Sequence, residues 1–127
     1  MSAWPDDELD RIADAQEVDI APLRRNGELR KPTPIWAVRV GDELYVRAAY
    51  GSGSAWYGVA RTSRQARISI GGIERDVTVE DVDSSVLDAV DAAYRSKYGH
   101  YASIVDKLVE PEHRINTVRL VPQEAGQ

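Results

Sequence analysis

Apolar and polar residues alternate in several short segments of the chain, which is the pattern of β-strands with one buried face. Two-residue loops of the composition Gly41-Asp42 and Gly71-Gly72 separate pairs of these segments, and such loops are typical of β-hairpins. In the first hairpin Ile35 and Ala37 are expected on one face of the sheet, opposite Trp36. The strands are expected at residues 17–24, 34–40, 43–50, 66–70, 73–82 and 115–122.

Helical periodicity appears before the first strand and again before the last one. Residues 5–16 begin with Pro5 and a run of acidic residues, which is typical of a helix start. Residues 84–99 predict the longest helix, capped by Ser84 or Ser85 and ended by Gly99. Shorter helices are expected over residues 55–60, capped by Ser54, and over residues 103–110, stopped by Pro111. The apolar stripe of the long helix is Val86, Leu87, Val90, Tyr94 and Tyr98.

Clustered hairpins with separate helices predict an α+β fold in which the antiparallel sheet curls into a barrel or half-barrel. No β-α-β alternation is present, which argues against a Rossmann-like sheet. We expect one domain over residues 1–122 and a disordered tail over residues 123–127.

Composition excludes several classes of chemistry. The chain has no cysteine, and neither His100 nor His113 stands in a metal-binding motif, so no metal site is expected. Phosphate-loop and serine-hydrolase motifs are absent as well. A net charge of -5 disfavours nucleic acid and anionic membranes as partners. An acidic N-terminus without a signal-peptide pattern favours a cytoplasmic location.

Basic residues concentrate in the middle of the chain, between two acidic flanks. They could form a patch that receives an anionic small molecule, or a solvated surface on which both signs mix. The residues are Arg24, Arg25, Arg30 and Lys31, followed by Arg39, Arg47, Arg61, Arg64 and Arg67.

The stretch RAAYGSGSAWYG, residues 47–58, combines a Gly/Ser loop with bulky rings. Either the rings cover a core, or the rings and the loop N–H groups line a pocket. The chain has no Phe, and Trp and Tyr carry polar atoms that suit half-exposed walls. Trp36 could pack in a core or stack on a ligand, and Arg47 could pair internally or face a ligand.

The central segment resembles an uncharacterised prokaryotic family, domain of unknown function 2255. The resemblance rests on Asn26-Gly27, on RKPTPIW at 30–36, on LYVR at 44–47 and on the pattern Tyr50-Gly51-x-x-Ser54-x-Trp56-Tyr57. The late run DAAYR-x-KY, residues 91–98, also resembles this family.

More distantly, the same order of motifs is similar to the flavin- and deazaflavin-dependent split-barrel reductases. This similarity implies a small, often dimeric split barrel of about six strands with a few peripheral helices. It implies that Lys31 and Thr33 lie where cofactor phosphate is held, and that the loop from Tyr50 to Ser54 approaches the phosphate or the ring. Where those reductases usually carry Asn-Leu, this chain has Gly58-Val59.

Together these observations predict a set of cofactor-binding residues, with FMN or a deazaflavin as the cofactor and no catalytic residue assigned. Two readings of the function remain: an oxidoreductase or cofactor-binding protein, and a non-enzymatic module of the same fold that binds another small phosphorylated or aromatic ligand. A homodimer is expected by analogy. The predicted residues are Lys31, Thr33, Trp36, Arg47, Tyr50, Gly51, Ser52, Ser54, Trp56 and Tyr57.

Overall fold

The computed structural model describes residues 4–48, 55–70 and 72–123. Within these ranges the strands are β1 Val18–Pro22, β2 Thr33–Ile35, β3 Ala37–Val40, β4 Glu43–Arg47, β5 Gln65–Ile70, β6 Ile73–Asp81 and β7 Thr117–Pro122. The α-helices are α1 Asp6–Asp14, α2 Ala55–Ser63, α3 Leu87–Tyr98, α4 Ala102–Leu108 and α5 Pro111–Arg114. Two 3₁₀ turns, Ser84–Val86 and Gly99–Tyr101, precede α3 and α4.

All seven described strands form one antiparallel sheet in the order β2-β1-β5-β6-β7-β4-β3. Both predicted hairpins are confirmed: Val40 pairs with Glu43, and Ile70 pairs with Ile73. Gly41 and Gly72 have φ of 61° and 88°, values that favour glycine over residues with a side chain. The sheet curls into a nearly closed barrel, so the predicted α+β split barrel is confirmed with one strand more than expected.

The barrel stays open at a seam between its two edge strands, β2 and β3. These strands follow each other in the sequence, and only Trp36 separates them. The sequence predicted one continuous strand here, which is wrong, because the chain passes from one edge of the sheet to the other. Alternation gave no signal of the break, since Ile35 and Ala37 both face the barrel interior as predicted.

Two apolar cores stabilise the fold. The first fills the barrel and joins α1 and α2 to the strands, with Leu9, Ile20 and Leu120 among its fully buried side chains. The second lies between the outer face of β3 and β4 and the helices α3 and α4; it contains Val38 and Tyr94. Alternate residues of β3 therefore belong to different cores, because successive side chains of a strand point to opposite faces of the sheet.

Several helix boundaries differ from the prediction. Helix α2 extends three residues further than expected, to Ser63. No side chain caps α3, because Ser84 and Ser85 lie in the 3₁₀ turn, so the predicted serine cap is wrong. Pro111 begins α5 and does not end α4 directly, in keeping with the preference of proline for a first helical turn.

The chain terminus lies partly outside the described residues. Gln123 donates its backbone N–H to the carbonyl of Asp76 at 2.9 Å, and the remainder of the predicted tail, residues 124–127, is not described. Across the described ranges, no helix has the length and apolar character needed to cross a membrane.

Candidate functional site

A groove of about 800 Å³ lies between the turn that follows β1 and helix α2. On the turn side its lining is mostly basic, formed by Leu23, Arg24, Arg25, Asn26 and Arg30. On the helix side it is small and mostly apolar, formed by Gly58, Val59, Thr62 and Ser63. Thr62 and Ser63 donate their hydroxyl protons to carbonyls one turn back in α2, so these side chains fold against the helix.

Backbone hydrogen bonds hold the turn in one conformation. The N–H of Arg24 donates to the carbonyl of Glu28 at 2.7 Å, and the N–H of Arg30 donates to that of Pro22 at 2.8 Å. Asn26 accepts from the N–H of Glu28 through its side chain at 3.0 Å, and Gly27 takes φ of 88°. The Asn-Gly turn predicted from the sequence is therefore present, and it holds the arginines on a fixed backbone.

Most arginines elsewhere in the described chain form ion pairs with carboxylates. Arg24, Arg25, Arg30 and Lys31 differ, because their side chains make no ion pair or hydrogen bond with another described residue. Of these four cations, the three arginines line the groove, and Lys31 follows Arg30 in the sequence. The paired arginines are Arg39, Arg47, Arg61, Arg64, Arg67, Arg75, Arg95, Arg114 and Arg119.

Lys31 and Thr33 continue the chain from the groove into β2. Lys31 is exposed directly after Arg30, and Thr33 is half-buried opposite Ile20 of β1. Their predicted contact with a phosphate stays a prediction. Their position beside Arg30 is compatible with it.

Arg47 is a buried link between the sheet and the helical layer. Its side chain has 0% exposure, and its Nη1 lies 2.5 Å from Asp91. Its other donors reach the hydroxyl of Thr117 at 2.7 Å and the carbonyls of Leu108 and Leu87 at 3.0 and 3.1 Å. These contacts leave little of the guanidinium for a ligand, so the predicted ligand contact stays a prediction without support from the described geometry.

Trp36, at the seam, is covered by rings of the chain itself. Tyr98 stacks on it with 4.2 Å between ring centroids and an angle of 3° between planes. Tyr101 lies 5.3 Å away at a tilt. Tyr98 therefore occupies one face of the Trp36 ring, and the predicted stacking of a ligand on Trp36 stays a prediction.

Trp56 and Tyr57 on α2 turn into the barrel core, where they are 5% and 3% exposed. Their rings meet edge to face at 5.8 Å, and Arg61 lies 5.5 Å above the Tyr57 ring. The sequence left two alternatives for the rings of residues 47–58. The described rings, Trp56 and Tyr57, agree with the one in which they cover a core. The other predicted residues, Tyr50, Gly51, Ser52 and Ser54, lie outside the described residues.

A second groove of about 820 Å³ lies across β1, β5 and β6. Its charges are mainly negative, from Glu17, Asp19 and Glu74, while Arg75 is engaged by Glu8. An anionic ligand would be repelled there. Among the described residues no cluster has the composition of a metal site.

The sequence located the basic half of the groove but missed its helical wall. Gly58 and Val59 were recorded only as a departure from a motif, because their position against the β1 turn depends on how α2 packs on β1. The available signal was helical periodicity that continues beyond residue 60 to Thr62, which would have extended the predicted helix. Asp91, the partner of Arg47, carried no signal, since 44 residues separate them in the chain.

The chain belongs to a family described as "Uncharacterized protein conserved in bacteria (DUF2255)", whose profile matches residues 8–120. The predicted family membership is therefore confirmed. No curated protein matches the sequence significantly.

Solved structures of split-barrel proteins share this fold at low sequence identity. HutZ, the heme storage protein from Vibrio cholerae, is 15% identical with a TM-score of 0.71, over 98% of this chain and 93% of HutZ. An F420-H2 dependent reductase, FDR-A, is 17% identical with a TM-score of 0.63, over 85% and 95% of the two chains. A FAD-binding protein from Mesorhizobium loti is 10% identical with a TM-score of 0.65, over 98% and 91%. At these identities the likeness defines the fold.

Proposed function

We propose that this protein binds a phosphorylated small molecule in the basic groove, and that the molecule is a cofactor of the flavin or deazaflavin class. One observation carries the proposal: the cations without an intramolecular partner among the described residues gather at a groove large enough for a cofactor. Guanidinium groups bind phosphate oxygens in a bidentate manner, and the turn holds the backbone of these arginines in place.

The groove fits the two parts of such a cofactor unequally. Arg24, Arg25 and Arg30 suit the phosphate, and Leu23 with Val59 offers apolar surface to a ring. The described aromatic rings predicted to stack on the cofactor lie in the cores or against each other. A bound flavin or deazaflavin would supply hydride transfer, while the groove residues would bind and orient it.

The choice of cofactor class is supported by the fold. The solved structures that share it include a reductase whose title names F420-H2 and a protein whose title names FAD. The predicted roles of Lys31 and of residues 50–54 belong to the same proposal, since these segments adjoin Arg30 and the first residue of α2 in the sequence.

Ligand titration tests the proposal directly. FMN, FAD and a deazaflavin would each be titrated into purified protein by calorimetry, and at least one is expected to bind. Replacing Arg24 and Arg25 together by Ala should weaken that binding by about 100-fold. Arg95→Ala is the matched control, because Arg95 is exposed and pairs with Asp106 away from the groove. Absence of binding by all three cofactors would refute the cofactor assignment.

A second candidate is a non-enzymatic module of the same fold that binds another small anion. Its specific support is that Trp36 stacks on Tyr98 while Trp56 and Tyr57 lie in the barrel core, so these rings are engaged within the chain. Native mass spectrometry of the purified protein distinguishes the two, because a co-purified ligand without a flavin or deazaflavin ring favours this candidate.

The assembly proposed with either function is a homodimer. Sedimentation of the 14.1 kDa chain at about twice its mass would support it. Sedimentation as a monomer would contradict it.

A further inference from the structure

We infer that the basic groove selects ligands with two or more linked anionic groups over ligands with a single phosphate. The inference deepens the proposed function and rests on the same site. It concerns the charged part of the ligand and is independent of the ring that the ligand carries.

The positive charge at the groove exceeds what one phosphate can neutralise. A phosphate ester presents three terminal oxygens and a charge of about -1.5 to -2. One arginine that binds in a bidentate manner uses two of these oxygens. Three arginines line the groove and Lys31 follows the third, so a single phosphate would leave much of the positive charge uncompensated.

The turn fixes the backbone positions of the cations. Leu23 and Leu29 pair across it, with Arg24 on the side of the turn's tip, opposite Glu28, and Arg30 on the side of β2, opposite Pro22. The segment from Arg24 to Lys31 contains one acidic residue, Glu28, which makes no ion pair with a described residue. The cations therefore repel one another in the free protein. A ligand with linked anions relieves more of this repulsion than a single phosphate does.

The helix wall leaves room for an extended ligand. A Cβ built at Gly58 would meet no atom of the described residues within 4 Å, so these residues leave open space above the helix at this point. A large side chain placed at Gly58 would project into that space without changing any charge. This position therefore offers a way to block the groove selectively.

Ring-free anions test the inference without involving the cofactor class. Orthophosphate and pyrophosphate would be titrated into the purified protein by calorimetry at two salt concentrations. Pyrophosphate is expected to bind at least about tenfold more tightly, with the steeper salt dependence. Arg25→Ala should reduce pyrophosphate affinity by about tenfold, and Arg95→Ala should leave it unchanged.

Blocking variants assign the binding to the groove. Gly58→Leu is expected to abolish pyrophosphate binding, while Gly58→Ala retains both binding and fold. Circular dichroism checks that the Leu variant is folded; if it is not, Val59→Trp takes its place. Equal affinities for the two anions, no pyrophosphate binding, or full binding by a folded blocked variant would each overturn the inference.

The outcome is separable from that of the proposed function. Selective pyrophosphate binding without binding of any flavin or deazaflavin would keep the inference and remove the cofactor. Cofactor binding together with equal affinities for orthophosphate and pyrophosphate would keep the cofactor and remove the inference.

Discussion

Polar atoms of several buried aromatic residues donate to backbone carbonyls in this protein. The indole N–H of Trp4 donates to the carbonyl of Leu120 at 2.9 Å, and the hydroxyl of Tyr98 donates to that of Gln16 at 2.7 Å. The expectation that Trp and Tyr line half-exposed walls is therefore wrong for the rings in the cores. A ring with a satisfied polar atom can be buried at little cost.

Lys97 is the residue with the most informative acid–base behaviour. Its Nζ donates to the carbonyls of Ala37 at 2.6 Å and Ile12 at 3.5 Å, and lies 5.0 Å from the Tyr98 ring centre. Burial lowers the pKa of Lys97 from 10.5 to about 8, and the nearby Asp14 carboxylate opposes this shift only in part. The folded state therefore disfavours the charged form of the Lys97 amine relative to the unfolded chain.

Stability should consequently rise with pH between about 8 and 10.5 through this residue. In that window the unfolded chain still holds a proton that the folded protein has released, whereas below pH 8 both states are protonated. Lys97→Met should remove this contribution. The measurement is the free energy of urea unfolding at several pH values. The range ends at about 9.5, because tyrosine ionisation is still small there.

Lys107→Met provides the comparison, because Lys107 is exposed in the last turn of α4. It should keep the pH dependence of the original protein. An identical pH slope in Lys97→Met and the original protein would contradict the assignment.

At the scale of elements, helix α3 completes the hydrogen bonding at the end of the β3–β4 ladder. The β3–β4 register places Trp36 opposite Arg47 as the next pair after Ala37 and Val46. At this pair the hydroxyl of Tyr94 is inserted: it accepts from the N–H of Arg47 at 2.9 Å and donates to the carbonyl of Trp36 at 2.7 Å. A side chain thereby satisfies two backbone groups where the ladder ends.

Tyr94→Phe should destabilise the protein by about 2 kcal/mol, because two buried backbone groups lose their partner at once. Burial of the Tyr94 hydroxyl raises its pKa, which agrees with a group enclosed by protein. Unfolding in urea measures the loss. Tyr57→Phe is the control, since the Tyr57 hydroxyl has no hydrogen-bond partner among the described residues, and equal losses in the two variants would refute the role of Tyr94.

At the scale of the whole molecule, Arg47 joins the barrel to its helical layer. Its side chain contacts β7 through Thr117, the end of α4 through Leu108 and helix α3 through Asp91. Asp91 also lies 3.0 Å from Arg114, so the carboxylate is shared by two guanidinium groups. The two cores are thus connected by a buried charged network.

Arg47→Met should lower the free energy of unfolding by about 3 kcal/mol, because it breaks a buried ion pair and leaves carbonyls without donors. Denaturant unfolding measures this, and Arg95→Met, an exposed ion-pair variant, should change stability by less than about 1 kcal/mol. A variant of Arg47 that keeps its stability but loses ligand binding would instead support the ligand contact predicted from the sequence.

Local patterns determined much of this fold. Alternation and the Gly41-Asp42 loop predicted β3 and β4, and the stripe through Val90, Tyr94 and Tyr98 predicted the buried face of α3. The turn at Asn26-Gly27 and its neighbouring cations were also visible, because turn chemistry and charge are properties of adjacent residues. For the site, this means that the basic half could be predicted.

Only the tertiary structure decided which of these residues remain available to a ligand. Arg47 and Arg24 look alike in the sequence, yet one is enclosed by Asp91 and Thr117 and the other has no described partner. Trp36 could pack in a core or stack on a ligand, and the packing of α3 on β3 places Tyr98 on one face of its ring. The sequence by itself set the strands, the turns and the distribution of charge, because these depend on near neighbours. The seam, the groove and the partner of each arginine depend on contacts between distant segments, which local periodicity does not encode.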